Sequence, residues 1–201
     1  MFHTVASLAA TLLLLATVPE AGAAPTPAPT PAPTAPAAPV ASITNERSGT
    51  TYQPGELATA VSETEAGDVL VLSKGTFTGD LSTTGHTATI DPSHAIVIRG
   101  AGSDNTIIDV TNTNGYGILL EAPEFVAFGP SQPCSQLYGF TLQGPAPNKY
   151  YGIHSNPGCN GIVIDDVHVR GTSKTGIDLN GAEDSVLSNI VSVDSLGGFG
   201  A

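Results

Sequence analysis

Gly152-Ile153-His154-Ser155-Asn156 is written again, 24 residues on, as Gly176-Ile177-Asp178-Leu179-Asn180. The longer run Asn160-Gly161-Ile162-Val163-Ile164-Asp165-Asp166-Val167-His168-Val169 is answered at the same step by Asp184-Ser185-Val186-Leu187-Ser188-Asn189-Ile190-Val191-Ser192-Val193. A constant step of that size marks a chain of stacked turns, none of which can bury its apolar face until a neighbour lies on it. Within each copy, apolar and polar residues alternate, as around Val167 and Val169, and that is the period of a strand. Gly, Asn, Asp and Ser separate the strands, residues that accept left-handed or side-chain-bonded corners. The pattern predicts an all-β fold, a parallel β-helix of short strands and tight corners.

Weaker copies precede this stretch. Gly117-Ile118-Leu119-Leu120-Glu121 matches the first half of the unit and Leu137 to Gly144 the second, with an insertion around Ala122 to Gln132. Ala95-Ile96-Val97-Ile98-Arg99-Gly100 and Thr106-Ile107-Ile108-Asp109-Val110 supply earlier strands. From about Val69 onward the chain would hold on the order of five turns. A leucine-rich repeat, the competing solenoid, needs a Leu-x-x-Leu-x-Leu frame that these copies lack.

Toward the front, Met1 to Ala23 reads as a secretory signal: an apolar run from Leu8 to Val18, then the small-residue pattern Ala21-Gly22-Ala23. Its n-region has His3 and no Lys or Arg. The run is too short to span a bilayer comfortably, so a secreted, extracellular protein with no membrane segment after cleavage is expected. Residues 24–44 form an Ala/Pro/Thr-rich linker, extended and without a core. Residues 45–201 are then the β-helix domain. Near its start, Pro54 to Glu65 places Leu57, Ala60 and Val61 on one helical face, a short helix suited to capping the first strand edge. The closing Leu196-Gly197-Gly198-Phe199-Gly200-Ala201 has no capping helix, and a terminal repeat needs cover, so a domain truncated at its C-terminus is expected.

Composition narrows the partners. The 201 residues carry a formal net charge of −12 with six Lys and Arg in all, which disfavours nucleic acid and anionic membranes. The two cysteines, Cys134 and Cys159, each stand three residues before a matching strand. Neighbouring strands lie about 4.8 Å apart, inside the roughly 4.4 to 6.8 Å between α-carbons that a disulfide spans. A bridge is expected, two buried free thiols being the alternative.

The order of helix, Gly67-Asp68, apolar strand, Gly75-Thr76-Phe77, Ile96-Val97-Ile98-Arg99-Gly100-Ala101-Gly102 and Thr106-Ile107-Ile108-Asp109 resembles the N-terminal region of the pectate-lyase-like, right-handed parallel β-helix superfamily. The resemblance covers Glu56 to about Ser195. It implies the fold closely and the activity loosely, because the superfamily contains lyases, hydrolases, epimerases and non-catalytic surface proteins. The acidic signatures of polygalacturonases and an Asp-Pro-His-Glu site like that of alginate epimerases are both missing, Asp91-Pro92-Ser93-His94 in the first coil matching only half of the latter. In lyases of the superfamily an Arg or Lys abstracts the proton beside a uronate carboxylate, which calcium neutralises. The resemblance therefore implies Arg170 and Lys174 as candidate catalytic bases, Asp165, Asp166 and Asp178 as candidate calcium ligands, and an acidic polysaccharide as substrate.

Alternation places Ile153, Ile177, Val167, Val169, Val191 and Val193 inward and leaves three outward rows: Leu119, His154, Asp178; Thr141, His168, Ser192; and Gln143, Arg170, Asp194. Blander uses stand beside these roles. Asp165 and Asp166 suit a corner, Arg170 suits a surface ion pair with Asp194, and Asn156 and Asn180 suit a stacked amide ladder. A non-catalytic module binding polysaccharide or cell-surface glycan is the second functional expectation. An ice-binding solenoid is third, because its flat Thr rows are missing.

Overall fold

The computed structural model describes residues 40–78, 87–90, 94–110, 115–120, 134–144, 151–195 and 198–200, with the backbone alone at 87–90 and 198–200. The expected signal, most of the linker, the Ala122 to Gln132 insertion and the residues Asp91-Pro92-Ser93 lie outside the described residues.

The first described element is a hairpin, β1 (Ile43–Asn45) and β2 (Thr51–Tyr52), paired antiparallel. It starts two residues ahead of the expected domain boundary. Ile43 and Asn45 are both buried, a period-2 signal too short to stand out beside the linker. A 3₁₀ turn at Pro54–Glu56 leads into α1 (Leu57–Ser62). The Glu56 carboxylate accepts the Gln53 backbone N–H at 2.7 Å, and Leu57, Ala60 and Val61 are buried, the face read from their spacing.

Thirteen further strands follow in the described residues: β3 (Val69–Leu72), β4 (Gly75–Thr78), β5 (Thr87–Ile90), β6 (Val97–Arg99), β7 (Thr106–Asp109), β8 (Gly115–Leu120), β9 (Gln136–Gln143), β10 (Tyr151–Ser155), β11 (Val163–Arg170), β12 (Thr175–Leu179), β13 (Val186–Ser188), β14 (Val191–Val193) and β15 (Gly198–Gly200). All of their pairings with one another are parallel. One path runs β3, β6, β9, β11, β13, and β1 lies antiparallel along the outer edge of β3. A second path joins β4 to β7, β7 to β9, and β11 to β14. A separate sheet runs β5, β8, β10, β12, β15. The protein is therefore mostly β, with parallel sheets.

The strands β9 and β11 are long because each runs through a bend at which the other layers break in two. At the bend stand Gly139 (φ 66°), Asp166 (φ 52°) and Asn189 (φ 52°). Gly139 and Asp166 lie opposite one another, between the pairs Tyr138↔Asp165 and Phe140↔Val167. A left-handed residue turns the chain in one position, and Gly, Asp and Asn are the residues that take it at least cost. Apolar columns stack beneath: Leu70, Ile98, Leu137 and Ile164 in one, Phe77, Ile108, Leu142 and Val169 in another, Ile118, Ile153 and Ile177 in a third. Each is at most 1% exposed. Burial of such side chains contributes about 1.5–3 kcal/mol apiece.

The step between layers is not constant. From β10 to β12 it is the expected 24, with Ile153 opposite Ile177 and His154 opposite Asp178. From β11 to β13 and β14 it is 23: Asp165 pairs with Ser188, His168 with Val191, Val169 with Ser192. Corner chemistry wins over the match of valines. Asn189 takes the left-handed place that Asp166 holds, and Ser188 Oγ and Asn189 Nδ2 donate to the Asp165 carboxylate at 2.7 and 2.8 Å. A slip of one residue exchanges the faces of a strand. Val191 and Val193, expected inward, are 39% and 40% exposed. Ser192 continues the column of Val169, and a Cβ at Gly176 would meet its Oγ as one at Gly152 would meet Val169 Cγ1. The expected rows Thr141, His168, Ser192 and Gln143, Arg170, Asp194 accordingly end in Val191 and Val193.

Cys134 and Cys159 form the expected disulfide, with α-carbons 5.2 Å apart and both residues buried. The Cys134 N–H donates to Asn160 O at 2.8 Å, so the bridge sits where two successive layers begin.

Candidate functional site

The triplet Tyr-Gly-Ile occurs at 116–118 and at 151–153, followed by Thr-Gly-Ile at 175–177. Parallel pairing of β8, β10 and β12 brings these together: Tyr151 lies opposite Tyr116 and Thr175, and His154 opposite Leu119 and Asp178. Glycine is required at the centre, because a Cβ at Gly152 would meet Gly176 O at 2.5 Å. The aromatic rings of adjacent layers then stack. The Tyr116 and Tyr151 ring centroids are 5.5 Å apart with planes 16° from parallel. The His154 imidazole is 4.8 Å from each, inclined 20° to Tyr116 and 35° to Tyr151. Such ring pairs contribute about 0.5–1.5 kcal/mol beyond the area they bury.

Charge closes the cluster on two sides. His154 Nδ1 is 3.1 Å from the Asp178 carboxylate. Lys174 Nζ lies 5.5 Å from the Tyr151 ring centroid, within cation–π range. His154 is 8% exposed, Tyr116, Tyr151 and Asp178 are half-buried, and Lys174 is exposed. Burial first, then Tyr151 and Asp178, push the Tyr116 hydroxyl above its ordinary value, so it is protonated at neutral pH. The arrangement offers flat apolar rings, a cation, a carboxylate and an imidazole on one partly open face. A few polar groups on an aromatic floor are the usual make-up of a small-molecule or sugar site.

The residues expected from the sequence are distributed differently. Lys174 and Asp178 belong to this cluster, whereas Arg170, Asp165 and Asp166 are on β11, in the other sheet. Arg170 is exposed, between Gln143 and Val193. Asp165 faces the next layer, where the Ser188 and Asn189 hydrogen bonds hold its carboxyl below the ordinary range. Asp166 faces the other way, accepting the Ser103 N–H at 3.1 Å and the Ser103 Oγ–H at 2.6 Å. Asp178 is with His154. The expected calcium ligands therefore do not converge, and among the described residues no group of three or more His, Cys, Asp or Glu is placed to hold a metal ion.

His154 was expected on an outward row with Leu119 and Asp178. The register is as expected, but Leu119 and His154 are buried rather than open. The row of Thr141 and His168 lies on β9 and β11, and His168 Nδ1 is buried without a hydrogen-bond partner. Asn156 donates its backbone N–H to Leu120 O, and Asn180 is in an exposed turn. Tyr116 and Tyr151 were not singled out by sequence reasoning. Their signal is the repeated Tyr before Gly-Ile, which a search for charged residues passes over.

No protein-family model, curated protein or solved structure matches the chain.

Proposed function

We propose that residues 45–201 form a right-handed parallel β-helix, exported from the cell, that binds a polysaccharide or cell-surface glycan across the face of β8, β10 and β12. The handedness follows the strong preference of parallel strand connections for a right-handed path. What supports the coil is the recurrence of three strand positions per layer, two of them merged in β9 and in β11, each paired in parallel with its counterpart in the next. The single observation that carries the function is the stack of Tyr116, His154 and Tyr151 with Lys174 beside it. Sugar rings present apolar C–H faces that lie on such a floor, while their hydroxyls and carboxylates take the polar rim. Successive layers about 4.8 Å apart make the floor extend along the stack, across the strands, as an oligosaccharide needs.

The test is titration calorimetry of the exported protein against polygalacturonate, alginate and a neutral galactan. Binding of at least one is expected, weakened about tenfold, roughly 1.4 kcal/mol, by Tyr116→Ala or Tyr151→Ala with the far-ultraviolet dichroism unchanged. Binding indifferent to both substitutions would place the glycan elsewhere; no binding at all would sink the reading.

A second reading, a polysaccharide lyase acting on a uronate polymer, is favoured by one feature, the Lys174 cation at the aromatic floor. Arg170 stands apart from that floor, and calcium enters as an arm of the experiment. Release of unsaturated product, followed by ultraviolet absorbance with and without calcium, separates turnover from binding.

A further inference from the structure

We infer that the bent edge formed by β13 and β14 is an interface between two copies of this chain, which pair edge to edge about a two-fold axis through the corner at Asn189 and Ile190. The inference stands apart from the glycan reading and uses none of its residues.

Among the described residues, β13 and β14 pair with β11 on one side and with no strand on the other. An unpaired strand edge is a template for another chain, and folds blunt it with charge, proline or a cover. At the far end of the same sheet β1 is such a cover, lying antiparallel on β3. The run Val186-Leu187-Ser188-Asn189-Ile190-Val191-Ser192-Val193 has neither charge nor proline, the composition that pairs most readily. Four of the six large hydrophobic residues exposed among the described residues stand on it: Val186, Leu187, Val191 and Val193.

The backbone sets the register. Val186 N–H donates to Ile162 O, and Val193 O accepts from Gly171 N–H, so both residues direct their backbone groups at the preceding layer. The direction alternates along a parallel strand. Leu187 and Ser192, one step inside each, therefore direct theirs at the open edge. A two-fold axis through the corner turns the second copy over, laying its β14 antiparallel on β13 and its β13 on β14. Leu187 then lies opposite the partner's Ser192, and the two exchange N–H and C=O groups as the hydrogen-bonded pair of an antiparallel ladder. Val186 falls opposite the partner's Val193, and Ser188 opposite the partner's Val191. The faces agree as well. Leu187 and Ser192 continue the buried columns of Ile164 and Val169, whereas Val186 and Val193 follow Val163 and the exposed Arg170.

Charge and symmetry select a second copy as the occupant. Two chains of net charge −12 repel one another, and close approach costs least where neither surface is charged. Glu183, Asp184 and Asp194 flank the run and none stands within it. A pattern that matches itself when reversed about its own corner is what an isologous contact requires, and a foreign strand would need no such match.

Sedimentation velocity of the full chain tests the interface. A monomer is expected at about 1 µM and a dimer at about 100 µM, the weak range of a contact below standard size. Raising the ionic strength from about 0.01 M to about 0.15 M should tighten the dimer, because the flanking carboxylates are screened. Ser192→Pro removes an N–H directed at the open edge, a place where strands accept proline, and should weaken association about tenfold or more with the far-ultraviolet dichroism unchanged. Two double variants read the register without proline. Val186→Glu with Val193→Glu sets like charges opposite one another and should abolish the dimer, whereas Val186→Lys with Val193→Glu sets opposite charges and should keep it. Amide hydrogen exchange should slow with concentration at Leu187 and Ser192 and stay constant at Val186. A monomer at the higher concentration, equal association of the two double variants, or assembly that continues past the dimer would each overturn the inference.

Discussion

Asp166 carries a left-handed backbone and a carboxylate that reaches Ser103, in the connection between β6 and β7 two layers away. It can do so because the intervening layer has Gly139 at that point, also left-handed and without a side chain. A Cβ on Gly139 would sit 3.0 Å from Gly100 O and 3.1 Å from Gly102 N, whereas one on Gly49 (φ 71°) would meet nothing within 4 Å. Gly49→Ala should therefore cost only the left-handed penalty, about 1 kcal/mol, and Gly139→Ala about 2 kcal/mol or more, measured by urea unfolding. Adjacent carboxylates in a sequence look like one charged site. The single left-handed residue sends Asp165 and Asp166 to opposite neighbours, and nothing in the order of residues shows that. Asp68, unlike the half-buried Asp165 and Asp166, is a buried carboxylate. Burial alone would raise it, but the Glu65 N–H, the Asn45 amide and Arg47 hold it below its ordinary 3.8. Its folded value lies under its unfolded one, so its stabilisation is complete above the unfolded value and is lost as pH falls through the folded value. Acid titration of stability should show that loss below about pH 4, and Asp68→Asn should flatten it.

At the scale of elements, the disulfide joins the start of β9's layer to that of β11's, closing a separation of 25 residues. Replacing both Cys134 and Cys159 with Ser should cost about 3 kcal/mol, and reduction of the wild type should lower its thermal midpoint alike. The change of step from 24 to 23 has a sharper consequence. Val169 is fully buried and Val193 is 40% exposed, although the repeat equates them. Val193→Lys should change stability by no more than about 0.5 kcal/mol, and Val169→Lys should cost at least about 3 kcal/mol. Equal losses would mean that the 24-residue alignment holds throughout. The strands, their parallel pairing and the disulfide were legible because apolar alternation and glycine corners repeat openly. The slip was not, because Val191 and Val193 mimic Val167 and Val169 while Ser188 and Asn189 satisfy Asp165 only at a step of 23.

Over the whole molecule the candidate site was legible in part. Asp178 and His154 were paired correctly by the repeat, but Tyr116 and Tyr151 join them only when strands 35 residues apart are overlaid, well off the 24-residue step. The charge of the chain sets how a ligand arrives there. On the proposed reading, a net charge of −12 would oppose a polyuronate at long range, whereas a local contact with Lys174 would attract it only at short range. Screening acts first on the distant charges, since the Debye length falls from about 30 Å at 0.01 M to about 8 Å at 0.15 M. The association rate for polygalacturonate should therefore rise with salt across that interval, opposite to an electrostatically steered pair. A neutral galactan should show no such rise. Lys174→Gln should act mainly on the dissociation rate, because it removes a contact and alters the overall charge little. Stopped-flow traces at several ionic strengths would separate the two rates. An association rate that falls with added salt would mean that a local basic field outweighs the acidic whole, and that the polymer docks on a face other than that of β8, β10 and β12.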